Sequence, residues 1–97
     1  MKEITDKAIQ DYINAGKIFF SAVPADGRHS FNGLGKLVQQ QTGHAPVQGH
    51  VYIFTMKHQA DHVKLLQRSA DATNIVEFSG QRAKKVILIC RRDKSLN

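Results

Sequence analysis

Two segments in the N-terminal half of the chain carry residues at helical spacing. In segment 5–15 the apolar residues recur at intervals of three and four: Ala8, Ile9, Tyr12 and Ile13. Thr5 or Asp6 is available as the N-cap, and Gly16 is available as the stop. The pattern therefore predicts a short amphipathic helix before residue 16.

A second amphipathic helix is predicted after the polar turn at residues 25–27. One face of it is formed by residues that again recur at intervals of three and four: Phe31, Leu34, Leu37, Val38 and Gln41. Ser30 is the expected N-cap, and the helix is expected to end at Gly43. Gly33 and Gly35 each cost about 1 kcal/mol relative to alanine inside a helix, so close packing against a sheet is expected there.

Five segments rich in β-branched and aromatic residues predict strands. They are Lys17–Val23, His50–Thr55, Val63–Gln67, Asn74–Phe78 and Lys84–Cys90. The first is expected to end at Pro24, which cannot donate to a strand ladder. Residues 86–89 are apolar on both faces, which predicts a strand covered on both sides by helices or by a second copy of the chain. Together the elements predict an α+β fold, with two helices packed on a mainly antiparallel sheet of about five strands.

The length of 97 residues predicts one domain, 1–97, that folds alone. No apolar run approaches the roughly 20 residues of a membrane span, and the N-terminus has no signal-peptide core. These features predict a cytoplasmic protein without membrane contact. The one cysteine, Cys90, lies in an apolar run and is expected to be a buried structural residue.

The polar residues do not form a recognisable catalytic or metal-binding set. His58 and His62 have the spacing of two zinc ligands on a helix, but they lie in or beside a predicted hairpin loop, 57–61. The carboxylates are scattered, whereas two-metal chemistry needs several that converge. The sequence therefore predicts a non-enzymatic protein that uses neither a metal nor a cofactor.

Positive charge is concentrated at one hairpin and at the C-terminal end. The net charge of +6 favours a polyanionic partner. Lys64 and Arg68 are expected on one exposed face of a strand, with Val63 and Leu65 facing the core. The C-terminal end holds a larger basic group: Arg82, Lys84, Lys85, Arg91, Arg92 and Lys94. Such a surface predicts salt-dependent contact with DNA phosphates, and the alternative is a solvated basic surface without a partner.

Three blocks in a fixed order carry a resemblance to a known family. They are the run Asp26–Leu34, the strand that Gly49 opens and Phe54 ends, and the segment Val63–Leu66. Over residues 17–67 the chain resembles the accessory protein, called TnpB or the second open reading frame product, of insertion sequence family 66. Asn32 stands where that family usually has Asp, and residues 68–97 diverge from its usual ending.

The resemblance implies a non-catalytic accessory protein of DNA transposition that is encoded beside a larger catalytic transposase. Together with the charge pattern, it predicts that seven residues contact DNA: Arg28, Lys64, Arg68, Lys84, Lys85, Arg91 and Arg92. Asp26 either orients Arg28 toward a phosphate or a partner's carboxylate, or caps the turn and pairs with Arg28 locally.

Two other functions stay open at the level of sequence. In the first, the protein is an interaction module that binds the catalytic transposase through the helix from Ser30 to Gln41 and does not contact DNA. A complex held by such an apolar contact is expected to survive high salt. In the second, the chain is a degenerate copy that keeps the fold without the ancestral function.

Overall fold

The computed structural model describes residues 1–13 and 16–93. Within this part the strands are β1 (Lys2–Ile4), β2 (Lys17–Phe20), β3 (His50–Met56), β4 (Gln59–Arg68) and β5 (Thr73–Ser79). The helices are α1 (Lys7–Tyr12), α2 (Phe31–Thr42) and α3 (Gly80–Arg92). The predicted α+β class is confirmed, and so is the mainly antiparallel sheet, although the described residues form three helices rather than two.

The sheet follows the order of the chain, β1-β2-β3-β4-β5. All neighbouring pairs are antiparallel except β2 and β3, which run parallel with Ile18 opposite Val51. A parallel pair needs a crossover connection, and α2 supplies it between β2 and β3. The second half of the sheet is therefore the predicted antiparallel meander, entered through a strand-helix-strand unit.

Side chains alternate across the strands, so the sheet buries a separate apolar cluster on each face. One cluster joins Val51, Ile53, Val63 and Leu65 to the buried residues of α1 and α3. The opposite cluster joins the remaining core residues of the sheet to α2: Leu34, Val38, Tyr52, Phe54 and Leu66. The molecule therefore has three layers, with α1 and α3 on one face of the sheet and α2 on the other.

The first helix and the strand after it are shorter than the sequence predicted. Asp6 caps α1, because its side chain accepts a hydrogen bond from the Ala8 amide at 2.9 Å. Residues 14 and 15, which the prediction included, lie outside the described residues. Strand β2 ends at Phe20 rather than Val23, and the chain returns to β3 only at the isolated bridge between Ala25 and Met56.

Helix α2 has the predicted limits, from the N-cap Ser30 to the C-cap Gly43, which takes the left-handed conformation. Of its two internal glycines only Gly33 is tightly packed, and the tight contact is not with the sheet. A Cβ on Gly33 would lie 2.6 Å from Cδ2 of His29, in the loop that precedes the helix. A Cβ on Gly35 would meet Pro46 at an ordinary 3.9 Å. The expected close packing therefore exists at Gly33, but its partner is a side chain of the preceding loop.

The predicted strand Lys84–Cys90 is wrong, because this segment lies in the middle of α3. Its β-branched residues favour a strand, but its buried positions follow a helical period. They are Ala83, Val86, Ile87, Ile89 and Cys90. The expectation that 86–89 is covered on both faces is also wrong, since Leu88 is 61% exposed.

Strand β1, which pairs with β2 at the edge of the sheet, is too short to carry a recognisable pattern and was not predicted. This strand is held to the far end of the described chain. The Asp93 carboxylate accepts hydrogen bonds from the Thr5 and Asp6 amides at 2.9 and 3.1 Å. The Lys2 ammonium donates to the Cys90 and Asp93 carbonyls. These contacts fix the C-terminal end of α3 against the N-terminal segment.

Candidate nucleic-acid interface

The outward face of α3 carries four exposed cations. At 3.6 residues per turn, side chains seven positions apart lie almost one above the other. Lys84 and Arg91 therefore form one row, and Lys85 and Arg92 form a second row beside it. Each row spans roughly 10.5 Å along the helix axis. These four residues are called the basic face of α3 below.

No carboxylate interrupts the basic face within the helix, since Gly80–Arg92 contains neither Asp nor Glu. The next acidic residue, Asp93, is buried and turned toward the Thr5 and Asp6 amides. Arg91 and Arg92 also lie in the last turn, where positive charge stabilises the helix dipole. Part of their role is therefore structural, but their side chains stay open to solvent.

Arg82 also lies on α3 but does not belong to the basic face. Its guanidinium carbon lies 4.4 Å from the Phe78 ring centroid and 5.4 Å from that of Tyr12. Its Nε donates to the Tyr12 hydroxyl at 2.6 Å. This stacking holds Arg82 in place and ties the start of α3 to α1 and β5. Lys85 Nζ also lies 5.5 Å from the Tyr12 ring centroid, so Lys85 shares this contact while it stays exposed on the basic face.

An exposed apolar residue, Leu88, lies between the two rows of the basic face. Beside it is a shallow cavity of about 250 Å³ that Ala60, Ile87 and Leu88 line together with Lys84 and Arg91. The surface of α3 thus combines positive charge with a small apolar centre.

Lys64 does not lie on an exposed stripe, so that prediction is wrong for this residue. Its side chain is only 10% exposed. Its Nζ donates to the Gly27 carbonyl at 2.9 Å and to the His29 carbonyl at 3.3 Å, and lies 3.5 Å from the Glu77 carboxylate. A cation held by three protein partners positions the 26–29 loop, and a phosphate could not reach it without breaking these contacts.

The Asp26–Arg28 pair lies in the same loop. Asp26 accepts a hydrogen bond from the Arg28 amide at 2.9 Å, and the guanidinium contacts the carboxylate at 3.4 Å. These hydrogen bonds from Arg28 lower the pKa of the Asp26 carboxyl. The geometry matches the local turn-capping alternative for Asp26. The Arg28 side chain is nevertheless 93% exposed, so it remains accessible to a phosphate or a partner.

Arg68 ends β4 on the α2 side of the sheet, where its guanidinium donates to the Pro46 carbonyl at 3.3 Å. Because side chains alternate, Arg68 and Lys64 share the face opposite to Val63 and Leu65, as the spacing predicted. The structure therefore divides the seven predicted DNA contacts. Four lie on α3, whereas Arg28, Lys64 and Arg68 lie on the α2 side.

The histidines and the cysteine lie in structural positions. His58 occupies the turn between β3 and β4 with a positive φ of 65°, and His62 lies on β4 within 3.8 Å of Glu77. Across residues 1–13 and 16–93, no three His, Cys, Asp or Glu side chains converge as a metal site. Cys90 is fully buried, as predicted, and burial raises the pKa of its thiol to about 12. None of the helices in the described part combines the length and apolarity needed to cross a bilayer.

Comparison with known proteins defines the class of the chain. The family model described as IS66 Orf2 like protein matches residues 16–87, a span that runs from the start of β2 into α3. The match covers the three sequence blocks and continues beyond them. The chain is thus an accessory protein of transposition by class. It belongs to the IS66 Orf2-like family. No curated protein and no solved structure shows significant similarity to it.

Proposed function

We propose that this protein is a non-catalytic accessory factor of transposition that binds duplex DNA through the basic face of α3. The observation that carries the proposal is the pair of cationic rows on one exposed helix face, uninterrupted by a carboxylate. DNA presents one phosphate on each strand per about 3.4 Å of helix axis. Rows roughly 10.5 Å long are therefore long enough to contact more than one phosphate of a duplex.

Binding of this kind is expected to depend strongly on salt and weakly on sequence. Each phosphate that a cation neutralises releases condensed counterions, which lowers the logarithm of affinity linearly with the logarithm of salt concentration. Leu88 supplies an apolar contact at the centre of the surface, but phosphate contacts alone carry no base specificity. Recognition of element ends is therefore assigned to the assembled transposition complex rather than to α3.

The test is fluorescence anisotropy with a labelled DNA duplex between about 50 and 200 mM salt. Replacing Lys84, Lys85, Arg91 and Arg92 together by Gln should weaken binding and reduce the salt slope by about 0.9 for each phosphate that is no longer neutralised. All four side chains are exposed, so the variant should keep its fold. An unchanged slope in a folded variant would remove α3 from the interface.

A matched pair of double variants separates a local interface from general charge. Lys84→Gln with Arg91→Gln removes one row of the basic face. Lys17→Gln with Lys57→Gln removes two exposed charges from other parts of the molecule. Both double variants lower the net charge by the same amount. If the interface is local, the first should reduce the salt slope by about the contribution of two phosphates, and the second should leave it unchanged.

Docking on the catalytic transposase through α2 remains the alternative function. The outward residues of α2 give it less support, because they are mostly polar: Asn32, Lys36, Gln39 and Gln40. Phe31, which is 50% exposed, is the apolar exception. This alternative predicts a complex with the transposase that survives high salt and that is abolished by Phe31→Ala, while duplex binding is absent in low salt.

A further inference from the structure

A cleft lies between α2 and the end of β4, on the face of the sheet opposite to α3. Its volume is about 380 Å³, within the range of small-molecule sites in proteins. Leu66 lies in its lining and is almost completely buried. Gly35 and Pro46 also line it.

The lining combines an exposed aromatic ring with two cations. Phe31 is 50% exposed, in contrast to Tyr52 and Phe54, which are buried. Lys36 is exposed on α2, and Arg68 approaches from β4 with its guanidinium held by the Pro46 carbonyl. No carboxylate is among the residues of this lining, all of which belong to the described part of the chain.

We propose that this cleft binds a nucleotide unit of single-stranded DNA. A base stacks on Phe31, and its phosphates are neutralised by Lys36 and Arg68. Aromatic rings beside a positively charged groove are the usual elements of single-strand binding, because every base offers a face for stacking. The Asn32 and Gln39 amides, which also line the cleft, offer donors and acceptors to the base edge.

The surface next to the cleft could accommodate further nucleotides of the bound single-stranded DNA. A second depression of about 300 Å³ shares Lys36 and Gln39 with the cleft and adds Gln40. A strand seated on Phe31 would therefore continue along polar and cationic residues of α2. Since α3 lies on the other face of the sheet, this site is separate from the proposed duplex interface.

The choice of single-stranded DNA over an acidic peptide rests on Phe31. Both ligands would use Lys36 and Arg68, but an acidic side chain gains little from a half-exposed aromatic ring. A base, in contrast, stacks on the Phe31 ring. Replacing Phe31 by alanine removes this stacking and should lower the affinity about tenfold or more. The two ligands therefore differ in their response to Phe31→Ala.

The experiment measures anisotropy of a labelled oligothymidylate of about eight nucleotides. Phe31→Ala should weaken binding about tenfold, and Phe31→Tyr should restore it, because a tyrosine ring also stacks. Arg68→Gln should reduce the salt slope by about 0.7, the single-strand value for one phosphate. Val76→Ala is the matched control, since it trims an exposed apolar side chain of β5 that pairs with Leu65 on the face of the sheet away from the cleft, and it should leave oligothymidylate binding unchanged.

The same variants separate this site from the duplex interface. In the background where Lys84, Lys85, Arg91 and Arg92 are Gln, the Phe31→Ala effect should persist even when duplex binding is abolished. Lys36→Gln, at an exposed position, provides a second variant should Phe31→Ala fail to fold. The proposal is overturned if oligothymidylate does not bind in low salt, or if Val76→Ala weakens binding while Phe31→Ala does not. It is also overturned if an oligoglutamate peptide binds more tightly and is insensitive to Phe31→Ala.

Discussion

Single residues decide how the loop before α2 is built. The His29 ring lies against Gly33, and its Nδ1 accepts a hydrogen bond from the Asp26 amide at 2.9 Å. The Lys64 ammonium donates hydrogen bonds to the carbonyls of Gly27 and His29. The polar turn that the sequence singled out is therefore a structural unit, in which local hydrogen bonds and one buried ammonium fix the start of α2.

The two glycines of α2 should respond in opposite ways to alanine. Gly33→Ala places a methyl group 2.6 Å from the His29 ring, so the loop must shift and the free energy of unfolding should fall. Gly35→Ala meets only ordinary contacts near Pro46 and should stabilise the protein by about 1 kcal/mol through helix propensity. Urea unfolding of both variants measures the difference. Equal effects at the two positions would contradict the assigned His29 contact.

Lys64 should contribute to stability and not to DNA binding. Lys64→Met keeps the length of the side chain but leaves two carbonyls and Glu77 without its ammonium. The free energy of unfolding should fall by about 1–3 kcal/mol, whereas the salt slope of duplex binding should stay unchanged. Lys84→Gln is the matched substitution and should show the reverse. A lowered salt slope in a stable Lys64→Met variant would return Lys64 to the DNA interface.

At the scale of elements, the sequence predicted most of the fold. Periodicity located α2 within its observed limits, and the β-branched runs located β2 to β5 to within a few residues. The prediction of a strand at 84–90 was wrong, because a run of Val, Ile and Leu is compatible with a strand or with a buried helix face. The positions Ala83, Val86, Ile87 and Cys90 carry the helical signal that could have decided it.

The candidate site was predictable only in part for the same reason. The charges of α3 were visible in the sequence, but their arrangement in two rows required the helix. The division of the predicted contacts between two faces depends on how α2 and α3 cross the sheet, which composition cannot reveal. Phe31 was assigned to the apolar face of α2 by its period, although at the first turn of the helix it is half exposed.

The placement of α3 can be tested through Cys90. Burial raises the pKa of its thiol from 9.0 to about 12, so the thiolate population near pH 8 is very small in the folded protein. Alkylation by iodoacetamide should be at least about tenfold slower than in urea, because the thiol is buried and its pKa is raised in the folded protein. Mass spectrometry of quenched samples follows the modification. Equal rates with and without urea would show that Cys90 does not face the sheet.

At the scale of the whole molecule, the sheet separates two surfaces of different character. The basic face of α3 is a convex helix surface with cations in rows. The α2 side carries a cleft with an aromatic ring and two cations, together with the exposed Arg28. The sheet lies between α3 and the α2 side, so a straight duplex on the basic face of α3 is not expected to contact Arg68. The two proposed sites together predict that the protein engages two nucleic-acid segments at once.

The most direct test of the duplex interface is a nuclear magnetic resonance titration of ¹⁵N-labelled protein with a short DNA duplex. The amide shifts of residues 81–92 should change progressively, most strongly around Lys84, Leu88 and Arg91, while those of 31–39 stay in place. This result would locate the duplex on the basic face of α3. Shift changes confined to 31–39 and 68–73, or none in low salt, would contradict the assignment of duplex binding to α3.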